Sequence, residues 1–150
     1  VYGRSYGGYM VLAALAFQPE LWAAGIEFVG ISNLRTFLEN TSAWRRAARE
    51  REYGPLGDPE LLERLSPWSR LDAIRAPLFI EHGRNDPRVP VSESEAIHAE
   101  LVRRGVRCEL VIYEDEGHAV EKLANRVDVF ERAVTFLDEV LGSVELAPIR

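Results

Sequence analysis

The stretch that constrains this chain most stands at its start: Gly3-Arg4-Ser5-Tyr6-Gly7-Gly8, followed at once by an apolar run from Tyr9 to Phe17. Gly-x-Ser-x-Gly before an apolar helix is the pattern of a nucleophile elbow, in which a strand turns sharply into a helix and lifts a serine hydroxyl clear of the sheet. The serine in such a turn is strained, and a side chain two positions away on either side would collide with the adjoining strand or helix. Gly3 and Gly7 are expected to give that clearance. The turn also sets Ser5 at a helix N-terminus, where the backbone N–H of Tyr6 has no intrahelical partner and can face an oxygen that becomes negative during attack. One hexapeptide thus supplies a candidate nucleophile and half of an oxyanion hole.

An elbow needs a strand in front of it, and only Val1 and Tyr2 precede Gly3. With valine rather than methionine at the start, the expectation is a C-terminal piece of a longer polypeptide, its elbow strand lying open at a sheet edge. After the elbow, small and apolar residues from Gly7 to Gln18 point in all directions, as in a helix buried against a sheet, and Pro19 stops it. Ala24 to Ile31 reads as a buried strand. Leu34 to Arg70 is dense in arginine and glutamate and interrupted by Pro55, Gly57, Pro59 and Pro67, so short helices and loops over one edge of the sheet are expected. Within it, Asp58-Pro59-Glu60 has the cap-then-proline order that opens a helix, ending near Leu65.

Pro77 to Glu81 is a short apolar run of the kind found in interior parallel strands. Ser92 and Glu95 fit a capping box that opens a helix closing at Gly105. Arg107 to Tyr113 is the next strand. From Asn125, Val127, Phe130, Val134, Leu137 and Leu141 recur at spacings of three and four and mark the expected inner face of a final helix that Gly142 ends; residues 143–150 read as a tail. Strands alternating with helices imply an α/β fold, a mostly parallel sheet with helices on both faces, with its chemistry gathered at the carboxyl ends of the strands.

Composition narrows the function classes. At 150 residues and 47% hydrophobic content the chain suits one domain with a buried core. The net charge of −6, with basic residues interspersed among acids, lacks the basic stripe of a nucleic-acid binder. No apolar stretch reaches the ~20 residues of a membrane span. Cys108 stands alone and no Cys/His spacing suggests a metal, so neither metal nor other cofactor is expected. Cytoplasm is the default compartment, and a homo-oligomer stays open.

A serine hydroxyl is a poor nucleophile at neutral pH; it needs a base within roughly 2.6–3.2 Å, and the base needs an acid to fix its tautomer. His98 lies in a charged helix and reads as solvated. His82 closes a strand beside Gly83 and reads as a core or backbone-bonded residue. His118, in the loop Glu114 to Val120 after the last strand, is the candidate base, with Gly117 expected to let the backbone bring the ring over the sheet. The loop after the preceding strand, His82 to Pro90, offers Asp86 as the acid. Ser5, Asp86 and His118 therefore fall on three loops, in the order Ser, Asp, His.

GRSYGGYM at the start, HGRNDPRVP from His82 and DEGH from Asp115 together resemble the C-terminal catalytic domain of the prolyl oligopeptidase family, particularly its acylaminoacyl-peptidase and dipeptidyl-peptidase-like branches. The resemblance spans nearly the whole chain. It implies an α/β-hydrolase fold and a serine peptidase acting on short peptides. Ser5 would be nucleophile, His118 base and then acid, Asp86 the orienting carboxylate, and the Tyr6 N–H an oxyanion donor. It also implies that Arg88 holds a substrate carbonyl and that Val89 lines the pocket for the side chain before the scissile bond. The family's upstream tyrosine, second donor of the oxyanion hole, and its preceding β-propeller are not within these residues. Two other readings stay open: a carboxylesterase on the same fold, and a fragment inactive without its N-terminal half. Phe37 and Trp44 are expected to pack under the insert rather than line the pocket.

Overall fold

The computed structural model describes residues 1–142. Its elements in chain order are β1 (Tyr2–Arg4), α1 (Tyr6–Phe17), β2 (Gly25–Phe28), α2 (Leu34–Asn40), α3 (Ala43–Tyr53), α4 (Pro59–Leu65), β3 (Leu78–Gly83), α5 (Ser92–Arg103), β4 (Cys108–Tyr113) and α6 (Leu123–Leu141), with short 3₁₀ turns at Pro19–Leu21 and Pro67–Ala73. The four strands form one parallel sheet in the order β1-β2-β3-β4. All three loops flagged from the sequence leave its carboxyl ends. β3 is buried at every position, as its two-sided cover requires.

Alternate residues of each strand face opposite layers. On one side Leu78 and Ile80 pack with Val11, Leu12 and Leu15 of α1 and Ile97 and Leu101 of α5. On the other, Ile26, Phe28 and Phe79 meet Val129, Ala133 and Phe136 of α6. A third cluster joins Tyr9 of α1, Ile31 after β2 and Val89 after β3 to Phe37, Tyr53 and Leu62. The insert of α2 to α4 therefore caps the carboxyl-end side of the sheet rather than lying over an edge. Trp44, expected beneath it, is 82% exposed, whereas Phe37 is buried.

Local chemistry explains the helix starts. Asn33 accepts hydrogen bonds from the N–H groups of Arg35 and Thr36 to open α2, and Asp58 accepts from Leu61 N–H ahead of Pro59 to open α4. The capping box expected for α5 is not formed. Ser92 is the first helical residue and makes no cap; the N–H of Glu93 already bonds the Pro90 carbonyl, and the Glu95 carboxylate goes to Arg84.

The inner face of α6 also differs from the sequence expectation. Val129, Ala133 and Phe136 are buried, while Val127, Phe130, Val134 and Leu141 are about half exposed. At 100° per residue the two stripes lie about a third of a turn apart. The helix carries two apolar faces, and the one containing Ala133 lies against the sheet. Leu137, between them, is partly buried. Among the described residues no helix is long and apolar enough to cross a membrane.

Candidate active site

Ser5 stands between β1 and α1, at the helix N-cap, with φ 57° and ψ −115°, a positive-φ conformation that costs a non-glycine residue on the order of 1–3 kcal/mol. The surroundings hold it there: Ser5 N–H donates to the Phe28 carbonyl at 2.8 Å, and the Tyr9 N–H donates to the Ser5 carbonyl at 3.0 Å. A serine in this position ordinarily turns its hydroxyl back to cap the helix. Here it makes no cap bond, and its Oγ points outward instead.

The glycines that permit this close packing are partly different from those expected. A Cβ on Gly3 would meet the Gly7 carbonyl oxygen at 2.2 Å, and one on Gly8 would meet Gly30 Cα at 2.7 Å. Gly7 itself has open space around its Cα. Its neighbour Gly8 is the position pressed against the chain after β2.

Oγ of Ser5 lies 3.0 Å from His118 Nε2, and His118 Nδ1 lies 2.7 Å from Asp86 Oδ2. Three residues far apart in sequence thus form one hydrogen-bonded line. Asp86 Oδ1 accepts from the backbone N–H groups of Arg88 at 2.7 Å and Val89 at 3.1 Å. Burial works to raise the Asp86 pKa, but bonds from His118, His82 and those two N–H groups outweigh it and hold the carboxyl well below the usual carboxylate range. The carboxyl is thereby kept ionised across the neutral range, the state needed to fix the tautomer of an imidazole.

The loops carrying Asp86 and His118 are bound to each other. Arg84 N–H donates to the Tyr113 carbonyl and Asn85 N–H to the Glu116 carbonyl, while the Asn85 side chain donates to the Glu114 carbonyl. Gly83 is the crossing point: a Cβ there would lie 2.1 Å from the Gly117 carbonyl oxygen. Gly117, the glycine expected to matter for His118, is not crowded. The buried Glu116 carboxylate accepts from the N–H groups of Glu121 and Lys122, which ties the His118 loop to the start of α6. Arg4, beside the nucleophile, donates to the His118 carbonyl. Neither Arg4 nor Glu116 was singled out from the sequence, because nothing local marks a surface arginine or a loop glutamate as a clasp.

The remaining candidates lie around this line. Tyr6 is the first residue of α1, so its N–H has no intrahelical partner. Its ring, half exposed, stands 5.6 Å from Tyr9 and 5.9 Å from Tyr53, in an aromatic wall that continues to Phe37. Val89 is buried in the same cluster. The Arg88 side chain is exposed and lines a cleft with His118 and Lys122. His98 lies on α5, away from this line, and His82 is wholly buried behind Asp86.

A parallel sheet with a strained serine at a strand-to-helix elbow, facing a histidine and an aspartate from later loops, defines an α/β-hydrolase. Comparison with known proteins narrows this further. Residues 1–144 match the model of the prolyl oligopeptidase family, and the chain belongs to that family. It is 36% identical to dipeptidyl aminopeptidase BIII of Pseudoxanthomonas mexicana over 95% of this chain and 22% of that protein. It is 34% identical to dipeptidyl peptidase family member 6 of Caenorhabditis elegans, over 95% of this chain and 20% of that protein. The structure of a puromycin-hydrolyzing peptidase of Mycobacterium tuberculosis superposes with a TM-score of 0.89 at 30% identity, over 95% of this chain and 22% of that one. The chain spans about a fifth of the length of these relatives.

Proposed function

We propose that the polypeptide carrying this chain is a serine peptidase that hydrolyses short peptides through an acyl-enzyme, with Ser5 as nucleophile. The observation that carries the reading is the unbroken line from Ser5 Oγ through His118 to Asp86. In this reading His118 Nε2 takes the Ser5 proton as Oγ attacks the scissile carbonyl, and Asp86 steadies the resulting imidazolium. The developing oxyanion is met by the Tyr6 N–H. His118 then protonates the departing amine, and a water deprotonated by the same ring releases the acyl group. Arg88, exposed beside His118, holds a substrate carbonyl, and Val89 with the aromatic wall bounds the side chain before the cleaved bond. The peptidase names of the relatives support the peptide over other acyl substrates.

A fluorophosphonate probe on the polypeptide carrying this chain is expected to label Ser5 and to lose all labelling in Ser5→Ala. Short peptide amides are expected to be turned over, with the activity lost in Ser5→Ala, whereas an esterase on the same fold would turn over simple esters alone. A folded protein that the probe leaves unmodified would overturn the proposal.

A further inference from the structure

Asp86 stands between two imidazoles, and the hydrolytic reading uses only one. His82, at the carboxyl end of β3, is wholly buried. Its Nε2 lies 3.0 Å from the Val89 carbonyl oxygen and 3.5 Å from Asp86 Oδ2, the same oxygen that meets His118. Its Nδ1 lies 2.7 Å from Oγ of Ser94, which is also fully buried, on α5. A carbonyl oxygen only accepts, so the hydrogen sits on Nε2 whether the ring is neutral or charged. That N–H bonds Val89 and presents its positive end to Asp86 as well. With the ring neutral, Ser94 donates its hydroxyl to Nδ1 and so fixes the plane in which Nε2 points.

We infer that His82 is a positioning residue: held by Ser94, its Nε2–H restrains the Val89 carbonyl and the Oδ2 edge of Asp86, and so sets the direction in which the carboxylate faces His118. This rests on the hydrolytic reading of the site. The loop's own N–H groups, from Arg88 and Val89, both bind Oδ1, which leaves the carboxylate free to swing about that anchored oxygen. Oδ2 is the atom that must meet His118, and on its far side stands His82. Both nitrogens of His82 are engaged and the ring is sealed from solvent, so it is not itself a second base.

Labelling kinetics with the fluorophosphonate test this, together with the downfield proton NMR signal of the His118 Nδ1–H bonded to Asp86. His82→Leu is expected to lower the maximal labelling rate at least ~10-fold while the concentration for half-maximal rate changes less than about twofold. The downfield signal is expected to shift or vanish. His82→Gln, which restores an amide N–H near the Nε2 position, is expected to recover most of both, and Ser94→Ala to fall between them. His98→Gln, on the outer part of α5, should match the wild type. An unchanged rate and signal in a folded His82→Leu would overturn the inference; if that variant does not fold, an unchanged Ser94→Ala does the same. If the wild type itself is unlabelled, the hydrolytic reading fails, and the NMR comparison alone decides whether His82 orients Asp86.

Discussion

Glu27 offers a test of the energetics beneath the elbow. Its carboxyl is wholly buried; one oxygen accepts from the Gly30 N–H at 2.6 Å, and the other has no partner among the described residues. Burial pushes its pKa from 4.5 up to about 7, against the Gly30 bond and the nearby His82, which favour the charged form. A raised carboxyl pKa means that the folded state keeps a proton the unfolded chain releases. The contribution is fully present below about pH 4.5 and is lost as pH rises through about 7. At ~1.4 kcal/mol per pH unit, this amounts to on the order of 3 kcal/mol across that window. Glu81, on the opposite face of the sheet, is likewise raised to about 7 by burial and adds a loss of the same sign. Glu27→Gln replaces the protonated acid by an uncharged group of the same shape, which still accepts from Gly30. Peptide-resolved hydrogen exchange over residues 25–31, compared between variant and wild type at each pH, isolates the effect. Protection is expected to be similar at pH 4.5 and higher in the variant by an amount approaching that figure at pH 8. Equal protection at both pH values, or a variant weaker at both, would refute the reasoning.

Other perturbations read other parts of the structure. Asp86→Asn keeps the shape of the acid but removes its charge and favours the wrong imidazole tautomer; labelling of Ser5 is expected to slow by about 10⁴-fold with folding retained by circular dichroism. Gly83→Ala forces the His118 loop off the Asp86 loop, because its Cβ would meet backbone at 2.1 Å, and labelling should fall on the order of 10²-fold. Phe136→Ala is expected to cost ~3–5 kcal/mol in denaturant unfolding, and Phe130→Ala, half exposed with its ring 6.2 Å from that of Phe28, only about 1 kcal/mol. Similar costs for the two phenylalanines would reverse the orientation assigned to that helix.

What could be read from the sequence was what has a local signal. The elbow, the apolar runs of β2, β3 and β4, and the Asp58-Pro59 start of α4 each carry their cause within a few residues. The alignment of Ser5, Asp86 and His118 was also legible, because a parallel sheet sends the loops after β1, β3 and β4 to one end. The rest depended on contacts between distant segments. Periodicity on α6 marked Val127, Phe130, Val134 and Leu141 as the inner face, whereas the stripe of Val129, Ala133 and Phe136 is the one that meets the sheet, a choice that depends on the partner surface rather than on the helix. Gly7 and Gly117 looked like the glycines that mattered, whereas the crowding falls on Gly8 and Gly83, where chains distant in sequence cross. The capping box expected at Ser92 and Glu95 is absent because α5 begins one residue early: Ser92 is already helical and the Glu95 N–H bonds the Val91 carbonyl. His82 sits four residues before Asp86, yet only the folded loop turns that spacing into a contact.

The sewing together of the Asp86 and His118 loops has a mechanical consequence. Asp86 and His118 are therefore expected to move together, so that the geometry of three residues reduces to a single gap between that pair and the serine's elbow. Loosening the molecule would open this one seam first, and the clasp from Arg4 to the His118 carbonyl sits directly across it. A change that slows labelling of Ser5 by loosening is then expected to act at the hydroxyl's approach to the ring, leaving the ring's own bond to the carboxylate undisturbed.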